Sequence, residues 1–260
     1  MKTSAIVVCS LVLSMFPSRL PAQDYSFPHA RYSHGGLIRL DTTSKEIFLT
    51  FTGGDFNEGA QKILRCLRRK KLKAQFFFTG DYYRNPDNAR HIKKLKKMGH
   101  YLGAHSDKHL LYASWEKRDS LLVSKSTFTK DLLNNYQIMA DFGIEKEEAI
   151  FFMPPYEWYN REISQWTKEM NLVLINFSPG TRSNADYTTP DMGKRYLSSQ
   201  RIFESILNYE TEDANGLNGF ILLLHIGTHP SRTDKFYDKL GELIDELRNR
   251  GYSFSLLSEL

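Results

Sequence analysis

Short apolar runs alternate along this chain with longer stretches in which apolar residues recur every three or four positions. The short runs predict strands at Gly36–Leu40, Glu46–Gly53, Lys73–Gly80, Tyr101–Ser106, Ala149–Pro154, Leu172–Phe177 and Phe220–His225. The longer stretches predict helices at Gly59–Lys70, Asn88–Met98, about Asp119–Asp141, Arg161–Met170, Gly193–Tyr209 and Lys235–Arg250, and Tyr252–Leu257 closes the chain. The last helix is the best marked. Phe236, Leu240, Leu243, Ile244 and Leu247 recur at helical spacing, and Gly251 stands where a helix stops. The strand runs are β-branched and aromatic, with Phe76, Phe77 and Phe78 in a row, as suits a parallel sheet covered on both faces. Strand–helix alternation throughout, with no linker or repeat, predicts one α/β domain closed as a barrel.

Such folds build sites where the carboxyl ends of strands meet their following loops. His105 ends one predicted strand, Pro155 and Tyr156 follow another, His225 ends a third, and Asp55 follows a fourth. The pattern therefore converges four polar or ring-bearing positions on one mouth.

The first residues are set apart from this domain. Lys2, an apolar run from Ala5 to Phe16, and Pro21-Ala22-Gln23 read as an export signal cut after Ala22. The apolar run is short for a permanent anchor, and no later stretch is long and apolar enough to span a bilayer. The expected mature domain is residues 23–260, exported to a periplasmic or extracellular space. Cys9 leaves with the signal, so Cys66 stands alone and an internal disulfide is excluded. Loss of Lys2 and Arg19 takes the formal net charge from +5 to about +3. That excess is too mild to imply a nucleic-acid partner. The basic clusters at 65–71 and 93–97 read as solvated helix faces.

The candidate chemistry starts at His105-Ser106-Asp107-Lys108-His109, where two imidazoles four residues apart can grip one divalent ion. By itself such a pair is weak evidence, and His225 and His229 make a second one. Further motifs strengthen it. Thr50-Phe51-Thr52-Gly53-Gly54 ends a strand, Met153-Pro154-Pro155-Tyr156 ends another, Asp186-Tyr187 follows a strand, and Leu222-Leu223-Leu224-His225 ends the last.

In content, order and spacing these five segments resemble the motifs of the polysaccharide deacetylases of the NodB-homology type, carbohydrate esterase family 4. The resemblance spans nearly all of residues 23–260. It implies a single-domain distorted (β/α) barrel and a metal-dependent hydrolase that removes acetyl groups from a glycan. It implies a divalent metal, with zinc the first choice for an imidazole-rich set, held by His105, His109 and a carboxylate. It also implies His225 as the acid that protonates the leaving group, and the Tyr156 backbone N–H as an oxyanion donor. Pro155, Tyr156, Trp158 and Asp186 are the expected substrate-binding positions, with the Tyr156 and Trp158 rings available to stack on a sugar; Asp186 also reads as a structural or supporting residue rather than the base. A monomer is expected.

The chain also departs from the family pattern. Where the family has two adjacent aspartates, a base and a metal ligand, this chain has Thr52 and Gly53, and Met153 replaces the arginine that orients the base. Asp55 is the expected substitute, as ligand or as base. Its bland reading is a cap on the helix beginning near Glu58 or Gly59. Glu58 and Asp107 are weaker substitutes, and His229 reads as a loop residue. Two other readings stay open: a catalytically inactive glycan-binding relative, and a metal-dependent hydrolase of some other ester or amide.

Overall fold

The computed structural model describes residues 25–260. The expected export signal lies outside them. Nine strands form one sheet: β1 (Arg31–Ser33), β2 (Gly36–Arg39), β3 (Glu46–Gly53), β4 (Gln75–Phe78), β5 (Tyr101–Ala104), β6 (Phe151–Phe152), β7 (Val173–Leu174), β8 (Phe220–His225) and β9 (Ser253–Phe254). The order across the sheet is β1-β2-β8-β3-β4-β5-β6-β7, with β9 added alongside β3. From β8 to β7 all neighbours are parallel, while β1 and β2 form an antiparallel flap on β8. The two ends of this row meet. A parallel bridge joins Leu37 to Ile175, and the Asn176 N–H donates to the Leu37 carbonyl at 2.8 Å. The sheet is therefore curled into the expected distorted barrel.

Period-two alternation sorts the core into two layers. Along β3, Ile47, Leu49 and Phe51 face outward and pack under the helices. Phe48 faces inward and packs with Leu37, Phe77, Tyr101, Phe151, Met153, Ile175, Ile221 and Leu223 inside the barrel. Met153 is fully buried in that inner layer. An arginine there would place a charge in an apolar interior unless an acid met it. The first motif supplies Thr52 rather than an acid to meet such a charge, and a flexible thioether fills the space instead.

Seven helices surround the sheet: α1 (Ala60–Arg69), α2 (Gly80–Arg84), α3 (Pro86–Lys97), α4 (Lys125–Ala140), α5 (Arg161–Glu169), α6 (Ser199–Glu212) and α7 (Leu240–Asn249). Three differ from expectation for local reasons. The helix expected from about Asp119 starts at Lys125, because the Ser124 side chain accepts from the Thr127 N–H at 3.1 Å and Leu121 is taken by a bridge to Ala113. The helix expected from Gly193 starts at Ser199, capped by Ser198, while Gly193 has φ 57° in a preceding 3-10 turn. The short α2 was not expected. It starts at Thr79, whose hydroxyl accepts from the Tyr82 N–H at 3.0 Å.

Candidate active site

The mouth of the barrel lies at the carboxyl ends of β3, β5, β6 and β8. His105 follows β5 and is almost fully buried. Its Nδ1 lies 2.8 Å from the Met153 carbonyl oxygen. A carbonyl only accepts, so Nδ1 carries the proton and Nε2 presents its lone pair. Burial holds the His105 pKa well below the ordinary histidine value, and the neighbouring His109 adds to the effect. His109 is likewise pushed down to about 4, chiefly by burial, with the Asp55 charge opposing. The two rings stand 5.1 Å apart between centroids. Both imidazoles are thus neutral at physiological pH, the state in which imidazole binds a metal.

This arrangement depends on residues of α4. The Asp131 carboxylate accepts from Ser106 Oγ at 2.7 Å, the Asp107 N–H at 3.2 Å, the Lys108 N–H at 3.0 Å and the Tyr112 hydroxyl at 2.7 Å. The Asn135 side-chain oxygen accepts from the His105 N–H at 2.9 Å. These bonds hold a loop in which Ser106 and His109 take left-handed backbone, with φ 73° and 53°. Neither residue is a glycine, so the fold must compensate for the strain.

Across the mouth, His225 ends β8 beside Thr52 of β3. The Asp186 carboxylate grips it twice, through His225 Nδ1 at 2.6 Å and the His225 N–H at 2.8 Å. Burial works to lower the His225 pKa, but the Asp186 charge and hydrogen bond, helped by Glu157, outweigh it and the net shift is upward. One wall of the mouth therefore holds neutral imidazoles, and the other holds an imidazole inclined to carry a proton.

The third side is aromatic. The Tyr156 ring lies 4.3 Å from that of His109 and 5.8 Å from Trp115, and Trp115 lies 5.1 Å from Trp158. Tyr156 is 46% exposed and Trp115 55%, so this row ends in an open apolar face. The Arg118 guanidinium backs it, 4.1 Å over the Trp158 ring.

The expected residues are placed unequally. His105, His109, His225 and the Tyr156 ring come together at the mouth. Asp55 is exposed, and its charge is felt by His109. Among the described residues, however, no three His, Cys, Asp or Glu side chains come together as a metal-holding set. The expected grouping of Asp55 with His105 and His109 is therefore incomplete as it stands. The loop carries Asp55 outward after Gly53 instead of continuing the strand. Two expected substrate contacts are corrected. Pro155 is buried under its own turn, and Asp186 is buried with both carboxylate oxygens committed to His225. Trp158 is half-buried behind Trp115, which is the more exposed of the two rings.

The weaker substitutes have other work. The Glu58 carboxylate accepts from the Thr228 N–H at 2.8 Å and from Lys235 Nζ at 3.0 Å, while buried Asp107 pairs with Arg84. His229 is an exposed loop residue against Phe56. Asp131, Asn135 and Trp115 were missed by reading the sequence. For Asp131 the only available signal was an acid on the inner face of a predicted helix.

Gly53 shows why the end of β3 carries no side chain. A Cβ there would lie 2.7 Å from Ile226 Cγ2 and 2.9 Å from the Phe78 ring. Beside it, the buried Thr52 hydroxyl makes no hydrogen bond to any described residue.

A curled parallel barrel with histidines at its strand ends, one of them backed by a buried aspartate, defines a protein of the carbohydrate-esterase class. The chain belongs to the polysaccharide deacetylase family, which residues 39–175, more than half of the chain, match. It is 27% identical over 221 residues to a peptidoglycan-N-acetylglucosamine deacetylase of Bacillus cereus, covering 85% of this chain and 90% of the relative. It is 23% identical over 223 residues to the peptidoglycan-N-acetylmuramic acid deacetylase PdaA of Bacillus subtilis, covering 85% of this chain and 73% of that one. The solved structure of PdaA superposes with a TM-score of 0.67 at 20% identity, covering 87% of this chain and 85% of PdaA. A family 4 pseudoenzyme from Bacillus anthracis is similar in fold, with a TM-score of 0.66 at 19% identity over 88% of this chain and 69% of that one. A mutant of that pseudoenzyme is described as having restored enzymatic activity.

Proposed function

We propose that this protein is an exported, metal-dependent deacetylase that removes acetyl groups from a glycan, with bacterial cell-wall polysaccharide as the favoured substrate class. The observation that carries the reading is the division of the mouth: two neutral imidazoles on one wall face a carboxylate-backed imidazole on the other. The named activities of the relatives, both peptidoglycan deacetylases, support the substrate class.

The residues fit a divalent ion in part. His105 offers an Nε2 lone pair whose direction is fixed by the Met153 carbonyl, and His109 is neutral beside it. Asp55 is the acid that His109 feels, and it would complete the grip by swinging inward. When bound, such an ion lowers the pKa of a water and polarises a carbonyl. Zinc is the first choice for two imidazoles. The chain's own residues do the rest. The Tyr156 N–H stabilises the oxyanion as the acetyl carbon becomes tetrahedral. His225, oriented by Asp186 and inclined by it to carry a proton, gives its Nε2 proton to the departing nitrogen or oxygen. The Tyr156 and Trp115 rings offer an apolar face to a sugar ring.

The test is acetate release by the purified protein from acetylated chito-oligosaccharide, acetylated peptidoglycan and acetylated xylan, before and after treatment with a chelator. The expected result is chelator-sensitive release from at least one of them. A second reading, a catalytically silent glycan binder, is favoured by the acid-free end of β3. Glycan binding without acetate release, with metal supplied, would establish it in place of the first.

A further inference from the structure

Most acids that line the mouth are already committed. Asp186 holds His225, Asp131 holds the histidine loop, Asp107 pairs with Arg84, and Glu58 holds Thr228 and Lys235. Asp55, exposed on the loop after β3, and Glu157 remain uncommitted, and Glu157 is the more withdrawn from water of the two. It is half-buried, and its carboxyl makes no hydrogen bond or ion pair with any described residue. Its charge is nonetheless felt by His225, and it feels both His225 and Asp186 in return. A carboxylate drawn half out of water without a partner costs stability.

The backbone that carries it is unusually determined. Tyr156 and Glu157 are consecutive left-handed residues, with φ 58° and 52°, at a place where glycine would adopt the same turn without strain. The turn is fastened at each step. The Met153 carbonyl accepts from His105 Nδ1, the Pro154 carbonyl accepts from the Glu157 N–H at 3.1 Å, and Asn176 Nδ2 donates to the Glu157 carbonyl at 2.8 Å. Strain so firmly held is a mark of functional sites. Opposite stands Thr52, the inward-facing neighbour of His225 on β3, with a hydroxyl that has no partner. The end of β3 thus carries no acidic side chain, whereas the turn after β6, whose Tyr156 ring lies against His109, carries an acid whose charge reaches His225.

We infer that Glu157 is the general base of this site, a carboxylate supplied from the turn after β6 in place of one at the end of β3. The inference rests on the deacetylase reading above and adds a catalytic residue to it. In the step it performs, Glu157 takes one proton from water as the water oxygen bonds to the acetyl carbon and the carbonyl π pair moves to oxygen. When the carbonyl re-forms, the bond to the sugar nitrogen or oxygen breaks, and that atom takes the proton of His225. The proton on Glu157 then replaces the one lost by His225, directly or through solvent, and acetate and the free sugar group leave. Burial pushes the Glu157 pKa up to about 7, which gives the carboxylate useful basicity near neutral pH.

The experiment compares wild type, Glu157→Gln and Glu157→Gly as zinc-loaded full-length mature protein acting on acetylated chito-oligosaccharide. The observables are kcat, KM, bound zinc and the pH profile. Glutamine keeps the shape and removes the base. Glycine suits the left-handed backbone and opens space for a small carboxylate. The expected result is a kcat lowered about 100-fold or more in both variants, with KM and bound zinc little changed. Wild-type kcat/KM should rise through a limb near pH 7 that Glu157→Gln lacks. Added formate should restore Glu157→Gly about tenfold or more, because a free carboxylate can take the water's proton. A Glu157→Gln variant within about threefold of wild type and with its acid limb intact would overturn the assignment and leave the deacetylase reading standing. Loss of activity in Glu157→Gly that formate does not restore overturns it as well. If wild type releases no acetate from any acetylated glycan, the deacetylase reading itself fails and the base goes with it.

Discussion

The two sides of the barrel mouth are built on opposite principles. On the side of β5 and β6, the histidine loop is held by buried polar groups. Asn135 and Asp131 fix the histidine loop from behind, and the Met153 carbonyl sets the His105 tautomer. At the end of β3 there is no such scaffold. Thr52 has an idle hydroxyl, Gly53 is hemmed in by Ile226 and Phe78, and Asp55 turns outward. The contrast teaches that supporting bonds, rather than motif letters alone, mark where chemistry is retained. A histidine pair stripped of its purpose would have little reason to be served by a buried aspartate accepting four hydrogen bonds.

That contrast can be broken most forcefully at His105. Changing His105→Ala should abolish tight zinc binding and lower acetate release about a thousandfold or more, measured by metal analysis and turnover together. Retained zinc would mean that the β5 side is ornament. Next in size is Asp186→Asn. It leaves the His225 ring in place but removes the charge that lifts its pKa against burial, and one of the two acceptor oxygens becomes an NH2 donor. The rate should fall about a hundredfold or more. Because His225 must be protonated to donate, the basic limb of the pH profile should also move to lower pH.

A stability measurement sharpens the comparison further. The folded Glu157 pKa is raised to about 7 from the ordinary 4.5 of a glutamate, chiefly by burial. The folded state therefore binds its proton more tightly than the unfolded state, and stability is lost as pH climbs through about 7. Glu157→Gln should gain about 2 kcal/mol in urea unfolding at pH 8, and the gain should vanish below about pH 4.5. Glu58→Gln, which weakens a satisfied carboxylate, should instead lose stability at pH 8. The smallest expected effect is at the aromatic row. Trp115→Ala should raise KM for an oligosaccharide about three- to tenfold while leaving kcat unchanged. A fall in kcat instead would place Trp115 in the chemistry rather than in sugar binding.

Much of this was legible in the sequence. Strand ends that carry His105 and His225 stand out because apolar runs stop abruptly at an imidazole. The barrel follows from strand–helix alternation. What escaped was set by contacts distant in the chain. Asp131 is an acid on a predicted helix with no visible partner until α4 is laid behind the histidine loop, 25 residues away from Ser106. Glu157 reads as a loop residue, since nothing local tells that its turn is left-handed. Asp186 reads both as a substrate position and as a structural supporting residue, and its two oxygens are spent on His225. The helix expected from Asp119 began late because serine capping and a bridge between Ala113 and Leu121 took the first turn.

The crowding around Gly53 sets terms for anyone engineering this protein. Writing an aspartate into position 53 would not simply hand back a ligand, since its first carbon would already overlap two apolar neighbours. The edit would have to travel with smaller partners, such as Ile226→Val and Phe78→Leu, which trade packing for room. Retrofitting this barrel is therefore a repacking exercise before it is a coordination exercise, and a single-letter reversal should yield a looser protein rather than a better catalyst.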